Sequence, residues 1–156
     1  MSKVIIGIDP GANGGIAVGH DDGRLIAVAP MPATPKDLFD YLAEIHDDTP
    51  KEYDEIEAYL EKVQGMPGQG GMAMFTFGKG FGHLEMALLS LGIKTNEVTP
   101  QKWQKHFQLG SSTKCASKTE WKNKLKAKAQ QLFPNEKVTL KTADALLIYQ
   151  YGCAQK

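Results

Sequence analysis

The sequence has few of the residues that several common protein classes require. Its two cysteines, Cys115 and Cys153, form no metal-type pair and indicate a reduced, intracellular protein. It has one arginine, Arg24, although readout of base edges in DNA usually relies on arginine. No apolar run approaches the roughly 20 residues that span a bilayer. We therefore expect neither a disulfide scaffold nor a membrane protein.

Catalytic motifs built on histidine, serine or cysteine are also missing. None of the four histidines has the spacing of a metal ligand pair: they are His20, His46, His83 and His106. No serine or cysteine nucleophile motif is present, so hydrolysis through a covalent intermediate is unsupported. The opening residues Met1-Ser2-Lys3-Val4 lead directly into a strand-like run, and we expect no signal peptide.

The charge is balanced in total but not along the chain. The 156 residues suit a single domain spanning 1–156, and 42% hydrophobic with 23% charged residues is typical of a globular protein. Residues 1–62 hold five basic and 13 acidic side chains, whereas residues 63–156 hold 13 basic and five acidic ones. This separation indicates an acidic site beside a basic surface, although a dipolar surface that only aids solubility would look the same.

Hydrophobic patterning predicts a mixed α/β sheet. Residues 4–8 are apolar on both faces, as in a central buried strand. Residues 16–18 and 25–29 read as two strands joined by a hairpin. Residues 55–61 alternate between apolar and acidic side chains, and 94–98 form a further strand. Strands that first form a hairpin and then alternate with helices are typical of the α/β class.

Four helices are predicted from caps and helical spacing. Thr34 caps a helix that begins at Pro35, and a long helix follows at about 73–91, with possible irregularity over 75–82. The first helix has four inward positions: Leu38, Phe39, Leu42 and Ile45. Ser117-Lys118-Thr119-Glu120 is a capping box that opens a third helix. The last helix covers about 142–151.

Three carboxylates occupy positions where burial is costly. Asp9 ends the first strand, and Glu61 ends the strand over 55–61. Asp144 shares the inward face of the last helix with Leu147 and Ile148. Buried carboxylates need a partner, and converging ones repel each other until a cation neutralises them. Oxygen ligands of this kind suit Mg²⁺ or Mn²⁺, which can activate water against a phosphodiester.

Each of these acids also has an ordinary structural interpretation. Asp9, before Pro-Gly, can initiate a turn. Glu61 can be a solvated strand end, which would leave Glu55 or Glu57 as the functional residue. Asp144 can be a first-turn residue that the helix dipole favours. The order of the three acids along the chain favours the metal site, but periodicity does not prove that they meet in space.

A lysine-rich segment follows the fifth strand. Eight lysines fall within 27 residues: Lys102, Lys105, Lys114, Lys118, Lys122, Lys124, Lys126 and Lys128. Lysine without arginine is suited to the phosphate backbone of DNA more than to its bases. An ordinary solvated helix is the alternative, because lysine is also a good helix former.

The glycine-rich loop over 65–71 is a second candidate for phosphate contact. Its backbone N–H groups precede a helix and can hold a phosphate. Phe75, Phe77 and Phe81, together with nearby methionines, can stack on unpaired bases. For most of these apolar side chains, a core or dimer-interface position is the favoured interpretation.

Taken together, the motifs resemble those of the RuvC-type Holliday junction resolvases. The resemblance spans nearly the whole chain and is closest to phage-like and organelle-like members, which share the Met-Pro-Gly-Gln-Gly and Phe-Gly-Lys-Gly-Phe-Gly stretches. Four segments carry it in order: Ile5-Ile6-Gly7-Ile8-Asp9-Pro10-Gly11, Tyr59-Leu60-Glu61-Lys62-Val63, Val98-Thr99-Pro100-Gln101-Lys102-Trp103 and Ala143-Asp144-Ala145-Leu146-Leu147-Ile148.

The resemblance implies a ribonuclease-H-like fold, a homodimer and Mg²⁺-dependent paired nicking of four-way DNA junctions, with Mn²⁺ as a substitute. Asp9, Glu61 and Asp144 match three of the family's metal-binding acids. The location implied is the cytoplasm or nucleoid of a bacterium or phage-infected cell, with an organelle left open. The residues expected to contact DNA are Lys79, Lys102, Lys105, Lys114, Lys118, Lys122, Lys126, Gln64 and Met66.

The sequence departs from the family pattern at two positions. Many members carry an acid or a histidine one turn before the last aspartate, where this chain has Lys141. We expect Lys141 either to stand near the scissile phosphate as part of the catalytic set or to leave a second metal ion weakly held. Better-known bacterial members have an aromatic residue at the position of Gln64. A residue that wedges the junction open must therefore lie elsewhere, for example at Met66 or within 75–81.

Three other functions remain possible at this point. Asp-Pro-Gly with two later glycines also resembles the first phosphate loop of sugar kinases and actin-like ATPases, but those enzymes need two duplicated domains. A junction-binding module without catalysis would have the same fold, and Lys141 keeps that alternative open. A related nuclease that acts on other branched DNA is the closest competitor.

Overall fold

The computed structural model describes residues 2–50, 55–63 and 70–155 and contains one five-stranded sheet with helices on both faces. The strands are β1 (Lys3–Asp9), β2 (Gly15–His20), β3 (Leu25–Pro30), β4 (Glu55–Glu61) and β5 (Lys94–Val98). The helices are α1 (Pro35–Asp48), α2 (Gly71–Ser90), α3 (Pro100–His106), α4 (Lys118–Leu132) and α5 (Leu140–Ala154), with a short 3-10 turn at Ser112–Lys114. No helix in these three ranges is long and apolar enough to cross a membrane.

The sheet is mixed, in the order β3-β2-β1-β4-β5. The hairpin strands β2 and β3 run antiparallel to their neighbours, whereas β1, β4 and β5 run parallel to one another. In β1 the register pairs Ile8 with Leu60 of β4, and in β5 Val98 is opposite Glu61. The carboxyl ends of β1, β4 and β5 therefore meet at one edge of the sheet.

Side chains on the two faces of the sheet enter separate cores. The even-numbered residues of β1, such as Ile6 and Ile8, pack with α1 and α2. The odd-numbered Ile5 and, in β4, Tyr59 pack into the core that contains residues of α3, α4 and α5. Because side chains alternate along a strand, Asp9 and Glu61 project to this second face.

Helix α5 lies directly against β1 because a glycine permits the approach. A Cβ atom at Gly7 would overlap the backbone of Ala145 and Tyr149. At the other end of the strand, a Cβ at Gly15, which pairs with Asp9, would lie 2.7 Å from the carbonyl oxygen of Lys141. The first turn of α5 is therefore fixed at the carboxyl end of β1.

Several sequence predictions change in the structure. Phe39 is 41% exposed, because Leu38, Leu42 and Ile45 already form the inward stripe and Phe39 lies one residue around the helix. Helix α2 is continuous from Gly71, without the possible irregularity over 75–82.

Two helix starts also differ in detail. Ser117 caps α4 as predicted, accepting from the Glu120 N–H at 3.1 Å, but the Glu120 side chain accepts from the N–H of Ala116 at 2.8 Å instead of that of Ser117. Helix α5 begins at Leu140, two residues before the predicted start. Helix α3 was not predicted at all, since it is short and mostly polar.

Candidate active site

The sheet places two of the predicted acids side by side. Ile8 of β1 pairs with Leu60 of β4. Asp9 follows Ile8 and Glu61 follows Leu60, so the two acids occupy equivalent positions at the ends of adjacent parallel strands. Both project toward α5, as the alternation along β1 and β4 requires. Glu61 is only 7% exposed, and Asp9 is partly buried. The strands therefore deliver two carboxylates to one buried edge.

Helix α5 brings the third acid to the same edge. Asp144 lies one turn after Lys141, whose carbonyl is held against Gly15 next to the end of β1. The charge of Asp144 raises the pKa values of both Asp9 and Glu61, and the charge of Glu61 raises that of Asp9. The three predicted acids are thus brought together from three separate elements.

The protonation of all three acids is shifted in the direction that burial dictates. Burial, followed by the charges of Asp144 and Glu61, raises the pKa of Asp9 to about 9. Burial raises the pKa of Glu61 to about 7 and that of Asp144 to about 6. Placing three anions in a poorly solvated site without a cation is unfavourable, so the metal-free site retains protons near neutral pH. A cation bound among these carboxyl groups would favour their ionised forms and lower their pKa values. Strongly raised pKa values of this kind are typical of functional sites.

The alternative acid on β4 has a different environment. Glu57 is also buried, but its carboxylate lies 3.3 Å from Lys3 Nζ and 2.9 Å from Lys94 Nζ. Burial raises the pKa of Glu57, yet the hydrogen bonds from the two lysines outweigh burial and the pKa is lowered overall. Glu57 is therefore neutralised by its own ion pairs, whereas no lysine or arginine of the described part of the chain pairs with Glu61. This contrast favours Glu61 as the functional acid of β4.

A tryptophan that sequence reasoning left without a role contacts this site. The indole N–H of Trp103 donates to Glu61 Oε2 at 2.6 Å, and Trp103 is completely buried in α3. This hydrogen bond lowers the pKa of Glu61, although burial keeps it raised overall. From the sequence, Trp103 is recognisable only as part of the motif Val98-Thr99-Pro100-Gln101-Lys102-Trp103. The two partners are 42 positions apart in the sequence, so local patterns do not reveal their contact.

One lysine of α4, Lys122, acts electrostatically on two of the three acids. Its charge lowers the pKa values of both Asp9 and Asp144. Lys141, the lysine that the sequence placed in the catalytic set, is exposed in the first turn of α5 and is not among the charges that shift these two acids. Lys122 thus joins the basic helix α4 to the acidic site.

The other predicted DNA contacts lie on three helices and a turn. Lys102 and Lys105 are exposed on α3, Lys114 lies on the 3-10 turn, and Lys79 is exposed on α2. On α4, Lys118 and Lys122 are exposed and Lys126 is half-buried, while Trp121, Leu125 and Ala129 pack inward. Gln64 and Met66 lie outside the described residues.

The donor set suits a hard divalent cation, but the carboxylates are not assembled around one ion position. Oxygen ligands from two aspartates and a glutamate are the chemistry that Mg²⁺ prefers. Within residues 2–50, 55–63 and 70–155, no three His, Cys, Asp or Glu side chains are arranged closely enough to hold an ion as they stand. Ion binding therefore requires these side chains to draw together.

Comparison with solved structures identifies the fold. A Thermus thermophilus RuvC structure aligns with a TM-score of 0.60 and 18% identity, covering 95% of this chain and 92% of that one. T. thermophilus RuvC in complex with a Holliday junction substrate aligns with a TM-score of 0.59 and 16% identity, covering 96% and 91%. The chain has the RuvC fold. This match confirms the predicted ribonuclease-H-like α/β architecture and, for the fold, the RuvC-type resemblance. Neither a family model nor a curated protein matches the sequence.

Proposed function

We propose that this protein is a metal-dependent endonuclease that resolves four-way (Holliday) DNA junctions. The observation that carries the proposal is the set of Asp9, Glu61 and Asp144 at the carboxyl edge of a RuvC-fold sheet, where Glu61 is buried, the two aspartates are partly buried and all three pKa values are raised. A neighbour of the same fold is described in complex with a Holliday junction substrate. The junction is therefore the first substrate to test.

In this proposal Asp9, Glu61 and Asp144 hold Mg²⁺, with Mn²⁺ as a substitute. When bound, the metal would supply positive charge that activates water and stabilises the leaving oxygen of the phosphodiester. The buried sheet edge keeps the carboxylates poorly solvated, so they have a strong tendency to bind a cation once deprotonated. Lys122 offers a fixed positive charge beside Asp9 and Asp144, where a DNA phosphate would approach. Lys141 remains a candidate for the same task from the first turn of α5.

The basic surface of α3 and α4 would bind the DNA backbone. Lys118, Lys122 and Lys126 follow one another at intervals of four residues and therefore lie along one side of α4. Because the charge of Lys122 also acts on Asp9 and Asp144, this row of lysines leads toward the candidate metal site. Phosphates held along it would pass close to Asp9 and Asp144.

A homodimer would place two such sites on one junction. Helix α2 exposes four apolar side chains on one side: Met72, Phe75, Met86 and Leu89, which are 79%, 67%, 60% and 72% exposed. The exposed Lys79 lies on the same side and interrupts this apolar stripe. Gly78 and Gly82 of the same helix have open space around them, which permits close approach of a second helix. We infer that two copies of α2 pair across a two-fold axis, which is the symmetry needed for paired nicks.

One observation favours a second candidate function. Among the described residues, no three of the acids are grouped around a single ion position. A junction-binding module that does not cleave would account for this arrangement and for the basic helices. The two functions differ in a single property, since only the nuclease hydrolyses a phosphodiester bond.

The experiment that separates them is cleavage of an end-labelled synthetic four-way junction, with linear duplex of the same sequence as control. Reactions contain Mg²⁺, Mn²⁺ or EDTA. The nuclease predicts symmetric nicks in the junction only, with either metal and not with EDTA. Binding without cleavage would support the binding module, and cleavage of other branched DNA in preference would change the substrate. Neither binding nor cleavage would contradict both and reopen the ATPase alternative.

A further inference from the structure

Trp103 and Glu61 form a buried hydrogen bond beside the proposed metal ligands. The indole Nε1–H donates to Glu61 Oε2 at 2.6 Å, well within hydrogen-bonding distance. Trp103 is 0% exposed and Glu61 is 7% exposed, so water does not compete for this contact. A bond of this kind fixes the direction of the carboxylate.

The backbone around Trp103 is built to deliver its indole to the end of β4. Val98 of β5 pairs with Glu61, and the Lys62 N–H donates to the Val98 carbonyl at 2.8 Å. Thr99 then caps α3, accepting from the Lys102 N–H at 3.3 Å, with Pro100 in the first turn. Trp103 follows one turn later. Strand pairing and a short capped helix therefore place the donor next to its acceptor.

Packing alone does not account for a tryptophan at this position. Its ring packs edge-on against Phe107 at a centroid distance of 6.4 Å, a contact that a phenylalanine could also make. The indole N–H is the part that a purely apolar side chain lacks, and its partner is a carboxylate at the candidate site. A single N–H donor occupies one side of one oxygen, which leaves the other lone pairs of the carboxylate available to an ion.

We propose that Trp103 is a positioning residue that holds the Glu61 carboxylate in the orientation required for divalent-cation binding. This inference rests on the proposed function, because it takes Glu61 to be a metal ligand. Partners that orient metal ligands in this way typically change metal affinity about 10–100-fold when they are removed. We therefore expect loss of the indole N–H to weaken Mg²⁺ binding by that factor while the fold persists.

The chain contains a matched control for this test. Trp121 of α4 is the other tryptophan, is 7% exposed and belongs to the same hydrophobic core as Trp103. In the Trp121→Phe variant, Trp103 is the single tryptophan, so its fluorescence reports on the metal site. Titration of this variant with Mn²⁺, which quenches fluorescence at short range, is expected to give saturable quenching that excess Mg²⁺ reverses. Trp103→Phe is expected to bind Mn²⁺ more weakly, measured by calorimetry.

An isosteric replacement separates the hydrogen bond from the packing. Benzothienylalanine has the shape of tryptophan with sulfur in place of the N–H, and in the Trp121→Phe background it replaces only Trp103. We expect this protein to keep its melting temperature in EDTA and to lose about 10–100-fold in Mn²⁺ affinity. Unchanged affinity would overturn the positioning role.

The outcomes also separate this inference from the proposed function. If the wild-type chain binds Mn²⁺ and cleaves junctions but the isostere binds equally well, only the role of Trp103 is wrong. If the wild-type chain shows no saturable Mn²⁺ site by calorimetry, the metal centre itself is wrong and both proposals fall. Weakened Mn²⁺ binding in the isostere supports both when the wild-type chain also cleaves junctions and the isostere binds junctions normally in EDTA.

Discussion

Asp9 combines burial with two neighbouring anions, and these raise its pKa to about 9. A cation held between the same carboxylates would reverse the sign of this interaction, because the anionic form would then be favoured. The ionisation of Asp9 therefore links metal binding to protein stability. The charge of Lys122 lowers the pKa of Asp9 only in part.

We predict that the metal-free protein loses stability as the pH rises. The pKa values of Asp9, Glu61 and Asp144 are about 9, 7 and 6, above the values of about 4 expected in the unfolded chain. Between pH 4 and pH 9 the folded state thus binds more protons than the unfolded state, and the free energy of unfolding falls with pH. Thermal melting in EDTA from pH 5 to pH 9 measures this. Saturating Mg²⁺ is expected to restore the melting temperature at high pH.

Asp9→Asn is expected to raise the melting temperature of the metal-free protein at pH 8 and to flatten its pH dependence, because the buried site loses one ionisable group. Asp22→Asn is the matched control, since Asp22 is exposed and hydrogen bonds with Arg24 lower its pKa. The control is expected to keep the wild-type slope between pH 5 and pH 9. A slope in Asp9→Asn as steep as that of the wild type would show that Asp9 does not retain its proton in this range.

At the scale of elements, α4 connects the acidic edge of the sheet with the basic part of the chain. Its inward side packs on α5 through Trp121, Leu125 and Ala129, and Lys122 lies close enough for its charge to act on Asp9. The lysine-rich helix α4 therefore adjoins the acidic edge of the sheet. A ligand with regularly spaced negative charges is the natural partner of this surface.

Replacement of Lys118, Lys122 and Lys126 by alanine is expected to weaken junction binding and to reduce its salt dependence. The slope of log K against log salt should fall by about 0.9 for each phosphate contact that is lost. Binding isotherms at several salt concentrations, in EDTA, measure the slope. Lys36→Ala is the control, because Lys36 lies on α1, which packs on the opposite face of the sheet. An unchanged slope in the triple variant would mean that this side of α4 is only solvated.

The sequence was sufficient to predict most of the regular elements but not their contacts. All five strands were predicted; β1, β2 and β4 are largely buried and have strong apolar patterns, whereas β3 and β5 are mostly exposed or partly buried. Helix α3 was missed since it is short and only one of its seven residues, Trp103, is buried. The three acids were selected as a set, yet only strand register and the close approach of α5 at Gly7 bring them to one edge.

For the whole molecule, the exposed apolar stripe of α2 predicts self-association. We expect Phe75→Ser and Leu89→Ser to shift sedimentation from dimer toward monomer, because both side chains are largely exposed in a single chain and their removal costs the monomer little. Ile26→Ser is the matched control, since Ile26 is 56% exposed on β3 and lies outside the stripe. Sedimentation of the wild type as a monomer, with and without junction DNA, would contradict the dimer.

The most direct test of the central claim is the product formed from a supercoiled plasmid that extrudes a cruciform. Two nicks made across one junction give a linear plasmid, whereas a single nick gives an open circle. We expect a linear product from the wild type in Mg²⁺, and no cleavage by Asp9→Asn even though that variant still binds the junction. Cleavage by Asp9→Asn at the wild-type rate, or the absence of any cleavage by the wild type in Mg²⁺ and Mn²⁺, would contradict it.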